Sequence, residues 1–293
     1  MAKIPRLAGL SVVGARHLQR EQCGQDAVAV ANTERVATVC LADGHGDPRY
    51  EFSDEGARIA VEVAEELLMA LAVDLLTADQ PQQLEKHLRT HLPRRIAWEW
   101  NRRVKEHTGQ TNSRSTPGPA GSVARDSSTG NLCFESASVA LRPRNPDGEW
   151  TEAVMPYGTT LLGALFTPEL ALFVQLGDGE ILRLFEGGAE LVFPSDENLF
   201  GGATWSLSQP DSSTHFHICC LPNHNDTMVL LCTDGVSDSL AGEEPLAKVA
   251  RWLHSRIDEE GWESVIETLP AWLQELSERG NGDDATVGIV FWG

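Results

Sequence analysis

The apolar residues of this chain change period in blocks, and the order of those blocks limits the fold more than any other feature. Short apolar runs with polar breaks fill residues 8–14 and 27–41. Residues 36–42 predict a buried strand that stops at Asp43-Gly44. Helical spacing then takes over from 55 to 76, with Ile59, Val63, Leu67, Leu71 and Leu75 on one face. Residues 82–106 predict a second helix with Leu84, Leu88, Ile96 and Trp100 on its apolar side, kinked or broken at Pro93. Strand spacing resumes near 132–142, turns over 143–148, and continues through 159–185, where a hairpin forms about Gly177-Asp178-Gly179. Another buried strand covers 228–233, helices cover 243–257 and 262–278, and a last strand covers 286–292. The Ser-, Thr-, Gly- and Pro-rich stretch 108–130 predicts a mobile loop or insertion, and 194–214 a surface flap. Helices segregate from strands instead of alternating with them. That order predicts a single α+β domain over 1–293, with helices outside antiparallel sheets.

Four of the strands run out at an aspartate beside a glycine: Asp43-Gly44, Asp178-Gly179, Asp234-Gly235 and Gly282-Asp283. Any one of them reads as an ordinary turn. Together they predict carboxylates converging at adjacent strand ends, where they repel one another unless cations or protons intervene. An all-oxygen donor set selects Mg²⁺ or Mn²⁺ over zinc. Glycine beside each aspartate predicts room for water and phosphate oxygens.

The ordered motifs resemble the metal-dependent 2C-type protein serine/threonine phosphatases, in a bacterial version, over nearly the full chain. Gln25-Asp26 stands where that family has Glu-Asp. Asp43-Gly44-His45-Gly46, Gly158-Thr159-Thr160, Gly177-Asp178-Gly179, Thr233-Asp234-Gly235 and Asp283-Asp284-Ala285-Thr286 follow in the family's order. The resemblance implies a sandwich of two antiparallel sheets flanked by pairs of helices, in four layers αββα. It implies two Mn²⁺ or Mg²⁺ ions, with Asp43 bridging them, the Gly44 carbonyl helping at one, and Asp234 and Asp283 completing the other. Asp178 with Asp234 would favour a third, weaker ion. Asp26 and Gln25 would act around the metals. A hydroxide between the ions would attack phosphorus, and His45 is the candidate general acid. The implied substrate is a phosphorylated protein, and a cognate Ser/Thr kinase is the implied partner in signalling.

The chain departs from the family where an arginine usually meets the substrate phosphate, five residues before Asp26. That slot holds Glu21. Arg16, His17 and Arg20 are the nearby candidates. This departure, with Gln25 in place of a carboxylate, supports an alternative: a regulatory binding module with the fold and little turnover. Hydrolysis of a small phosphorylated molecule by the same centre is a third reading.

A formal net charge of −20 disfavours nucleic acid and anionic membrane surfaces. The six cysteines include no C-x-x-C pair, and buried free thiols predict a reducing, cytoplasmic setting. No signal peptide or long apolar span is legible. His215, His217 and His224 lack a convergent carboxylate or cysteine and predict an exposed strand face. The eight tryptophans predict core and helix–sheet packing.

Overall fold

Strand order follows from which residues can be covered on both faces. The computed structural model describes residues 5–76, 81–114, 149–194, 204–223 and 226–293. In chain order the strands are β1 Arg6–Val12, β2 Ala27–Asn32, β3 Ala37–Ala42, β4 Leu161–Phe166, β5 Leu170–Leu176, β6 Glu180–Phe185, β7 Gly188–Leu191, β8 His217–Pro222, β9 Asp226–Cys232 and β10 Ala285–Phe291. One sheet has the order β1-β10-β9-β6-β7 and the other β2-β3-β4-β5-β8, with every neighbour antiparallel. The helices are α1 Ala15–Gln19, α2 Ser53–Leu76, α3 Pro81–Arg114, α4 Asp234–Ser237, α5 Pro245–Glu260 and α6 Trp262–Arg279.

Period-two alternation sorts the side chains into layers. In β3, Ala37, Val39 and Leu41 pack between the sheets, while Cys40 and Ala42 face α2 and α3. In β10, Val287, Ile289 and Phe291 face α5 and α6, while Val290 packs between the sheets. The result is an α+β sandwich in four layers: α2 and α3, two sheets, then α5 and α6. The sheets come closest where a side chain is missing. A Cβ on Gly288 would lie 2.3 Å from Val39 Cγ1.

The two predicted helix pairs are present. In α3, Leu88, Leu92, Ile96, Trp100 and Val104 are fully covered at a four-residue spacing, and Trp100 Nε1 donates to the Gly56 carbonyl of α2 at 2.9 Å. Pro93 neither breaks the helix nor splits it. Burying each of these side chains contributes roughly 1.5–3 kcal/mol, against about 3 kcal/mol lost to an internal proline. The same helix overruns the predicted loop, continuing to Arg114. His107 Nδ1 and Thr108 Oγ1 lie 2.9 and 3.3 Å from the Tyr157 hydroxyl, which anchors that last stretch. The rest of the predicted 108–130 loop, the 132–142 strands and the 143–148 turn lie outside the described residues.

The predicted flap is partly core. Leu207 is fully covered, Ser206 and Ser208 are buried, and Ser206 Oγ accepts from the Thr159 N–H at 3.1 Å. Residues 195–203 lie outside the description. His215 precedes β8 and stacks on Trp205 with ring centroids 3.3 Å apart, and His217 packs near Phe193. His224 and Cys133 fall outside the described residues. Cys40 and Cys232 are buried free thiols, Cys219 and Cys220 are partly covered, and Cys23 is exposed. Among the described residues, no helix is long and apolar enough to cross a membrane.

Candidate metal centre

The predicted acidic residues meet because antiparallel pairing places their strand ends side by side. Ala27 pairs with Ala42, so Asp26, entering β2, lies beside Asp43, leaving β3. Cys232 pairs with Glu180 on one side and Val287 on the other. That register brings Asp178, Asp234 and the Asp283-Asp284 pair to the same end of the first sheet. The threonines of the Gly-Thr-Thr turn hold Asp43 by its backbone. Thr159 Oγ1 donates to the Asp43 carbonyl at 2.8 Å, and the Asp43 N–H donates to Thr160 Oγ1 at 3.0 Å. Thr233 Oγ1 donates to Asp26 Oδ2 at 2.9 Å, linking the two sheets across the site.

The electrostatics are those of crowded carboxylates. Burial holds Asp43 well above the usual carboxylate range, and Asp26, Asp234 and Asp283 add to the effect. Burial likewise raises Asp26, with the Asp284 and Asp234 charges acting the same way against hydrogen bonds from Thr286 and Thr233. Asp178 is raised to about 6 by burial and then by Asp234. Asp283 is raised by burial, with Asp234 and Asp284 adding to it. Asp234 Oδ1 and Gln25 Oε1 are buried with no hydrogen-bond partner among the described residues. Orphaned acceptors of this kind are costly and fit a cation or its bound water. Even so, among the described residues no three His, Cys, Asp or Glu side chains form a ready-made cage for an ion. The donors are all oxygen and already adjacent, so they fit a hard divalent cation after side-chain adjustment.

Asp284 is the residue whose importance the sequence did not reveal. It is 3% exposed. Its Oδ1 accepts from the Gly14 N–H at 2.6 Å and lies 2.8 Å from His17 Nδ1, and its Oδ2 accepts from the N–H groups of Gln25 at 2.5 Å and Asp26 at 3.3 Å. One carboxylate thus gathers both ends of the segment joining β1 to β2. His17 is thereby engaged with Asp284 instead of standing free for a phosphate. Arg16 lies across Gly282, where an added Cβ would meet its Cγ at 2.8 Å. Arg20 ends the short α1 helix at an exposed position and is not drawn into the cluster.

His45 packs edge-on to Tyr50 with ring centroids 4.8 Å apart, and its N–H donates to the Gly158 carbonyl at 3.0 Å. Burial lowers its pKa to about 4, with Asp234 opposing. That shift disfavours the protonated imidazole that a general acid requires. The glycines also have a different cause from the one expected. A Cβ on Gly235 would sit 1.8 Å from the Asp284 carbonyl oxygen, and one on Gly44 would sit 2.6 Å from the Gln25 carbonyl oxygen. These positions are glycine because neighbouring backbone passes there, leaving no spare volume for solvent.

Comparison with known proteins gives the fold and the family. No protein with a curated description matches the sequence significantly. Among solved structures, a bacterial serine phosphatase superposes with a TM-score of 0.56 at 13% identity, covering 98% of this chain and 97% of its own. PppA of Pseudomonas aeruginosa gives 0.55 at 17% identity, with 99% and 98% coverage. The catalytic domain of the serine/threonine phosphatase PstP, solved with two manganese ions, gives 0.51 at 17% identity, with 98% of each chain covered. These likenesses establish the fold. The family profile for protein phosphatase 2C matches residues 13–275, and the chain belongs to the protein phosphatase 2C family.

Proposed function

We propose that this protein hydrolyses phosphoserine and phosphothreonine in other proteins with the help of two divalent cations. The observation that carries the reading is the convergence of Asp26, Asp43, Asp234 and Asp283, with Asp234 Oδ1 buried and unpartnered. Asp43, the Gly44 carbonyl, Asp234 and Asp283 would hold the two ions, Mn²⁺ or Mg²⁺, and Asp178 would contribute to a third, weaker site. The PstP domain with its two manganese ions supports a two-ion centre. When bound, such ions activate water at neutral pH and neutralise charge on the phosphoryl oxygens.

The chain's own residues supply the rest. Arg16, whose side chain packs across Gly282, one residue before Asp283 in the chain, is the candidate guanidinium for the substrate phosphate. Asp284 and His17 hold the Gln25–Asp26 segment in register with it. Gln25 Nε2 donates to Ser53 Oγ at 2.7 Å, which leaves its unpartnered Oε1 to orient solvent. His45, when unprotonated, can accept a hydrogen bond at the rim. A phosphorylated protein, with its kinase as the opposing enzyme, is the corresponding partner. The neighbour PppA carries the description of a key regulatory component of a secretion system, which fits a signalling role of this kind.

One observation favours a second reading. Glu21 occupies the slot of the usual phosphate-binding arginine, which suits a regulatory module of weak turnover. Hydrolysis of a phosphothreonine peptide and of an aryl phosphate, with Mn²⁺ and with chelator, separates the two. Mn²⁺-dependent release of phosphate with peptide preference is expected. Folded, metal-loaded protein that turns over neither substrate would leave the regulatory reading. In the same assay, His45→Gln is expected to keep kcat within about tenfold of wild type, because a true general acid contributes about 10²–10⁴-fold. A larger loss would restore His45 to the proton-donor role.

A further inference from the structure

A trough leaves the carboxylate centre at Asp178 and runs outward beside β6 and β7, at the edge of the first sheet. It consists of two adjoining cavities of about 230 and 460 Å³, which share Glu180, Leu191, Ser237 and Asp238. The inner cavity begins at Asp178 and has Phe193 and Trp205 as aromatic walls. The outer one has an apolar floor from Leu182, Leu246 and Ala247. Along this length the polar rim is acidic, and among the described residues no Lys or Arg lines either cavity. Glu190 and Glu244, at the outer end, each have an arginine nearby, Arg183 at 3.1 Å and Arg251 at 3.8 Å. Asp178, Glu180 and Asp238 form no ion pair among the described residues.

We propose that this trough receives the polypeptide beside the phosphorylated residue and selects sequences carrying Lys or Arg there. The assignment rests on the phosphatase reading of the adjoining centre. Three features argue for that occupant. The trough is continuous with the site where the phosphate would be processed. Its apolar floor suits the aliphatic stem of a long basic side chain, and its aromatic walls suit a cation over a ring face. Its unpaired carboxylates complement positive charge and oppose an acidic peptide. A peptide could also lie alongside β7, the last strand of its sheet, whose outer edge has no partner strand among the described residues.

The test uses the full chain and two threonine peptides that differ only in flanking residues, Lys/Arg in one and Glu in the other. Fluorescence anisotropy measures binding of the unphosphorylated pair, and kcat/KM is measured on the phosphorylated pair. The basic peptide is expected to bind roughly tenfold more tightly. The Glu180→Gln/Asp238→Asn double variant should reduce that ratio to about twofold, as expected for removing two partly exposed carboxylates. Glu275→Gln/Glu278→Gln, on α6 away from the trough, removes the same formal charge and should leave the ratio unchanged. Equal binding of the two peptides would overturn the proposal, and an equal fall in both variants would overturn it by reducing the preference to net charge. A persistent binding preference without turnover would instead refute the phosphatase reading and leave the trough assignment standing.

Discussion

Asp43→Asn is expected to abolish Mn²⁺-dependent turnover while making the metal-free protein more stable. The loss in kcat should be at least about 10³-fold, because the substitution removes the carboxylate proposed to be shared by both ions. The gain in stability follows from the crowding. A carboxylate whose folded pKa is raised contributes its full stabilisation only below its unfolded value, 3.8 for aspartate, and loses it as pH rises through the folded value. Asp178, raised to about 6, places part of the change within the ordinary assay range, and Asp43 and Asp26 extend it upward. In chelator, the melting temperature of Asp43→Asn should exceed that of wild type by more at pH 7.5 than at pH 5. Cations act in the opposite sense, stabilising wild type most where its carboxylates are ionised. A variant that melts below wild type in chelator at both pH values would show that the cluster is not under this strain.

Asp284→Ala should cost about 3–5 kcal/mol, because it strands the N–H groups of Gly14, Gln25 and Asp26 together with the His17 ring, and an unsatisfied buried donor costs about 1–3 kcal/mol. Relief of repulsion on Asp26 and Asp283 offsets part of the loss, which keeps the sum below the simple total. The corresponding fall in melting temperature is on the order of 10 °C for a domain of this size. Asp284→Asn keeps one acceptor oxygen and should fall less. Turnover should drop with stability in the alanine variant, since Asp26 and the Arg16 helix lose their common anchor. Thermal melts read the first effect, and kcat/KM at a temperature where the variant is folded reads the second. An alanine variant with unchanged melting would remove Asp284 from the role of anchor.

The contrast between Asp283 and Asp284 shows what the sequence could and could not reveal. Strand-ending aspartates beside glycine announced Asp43, Asp178, Asp234 and Asp283, since Asp-Gly marks where an apolar run stops. Nothing in the pair Asp283-Asp284 says which one turns inward. Period-two counting offers a signal: Asp284 shares a strand face with Thr286 and Val290, which point between the sheets. The layers were legible because β3 and β10 are apolar on both faces and the helices carry regular four-residue spacing. The continuity of α3 was not, because the rule for an internal proline is local, whereas Leu88, Leu92, Ile96 and Trp100 are held by the rest of the core. The burial of His45 was equally beyond the sequence, since Gly158, which covers its ring along with nearby Tyr50, comes from a distant part of the chain.

The central claim is that these carboxylates form a centre for hard divalent cations, and the most direct measurement of it is calorimetric titration of metal-free protein with Mn²⁺ at neutral pH. Two ions bound per wild-type chain, with binding lost or strongly weakened in folded Asp43→Asn, is the predicted result. No binding at millimolar Mn²⁺ by folded wild-type protein, or the same binding in the variant, would contradict the account.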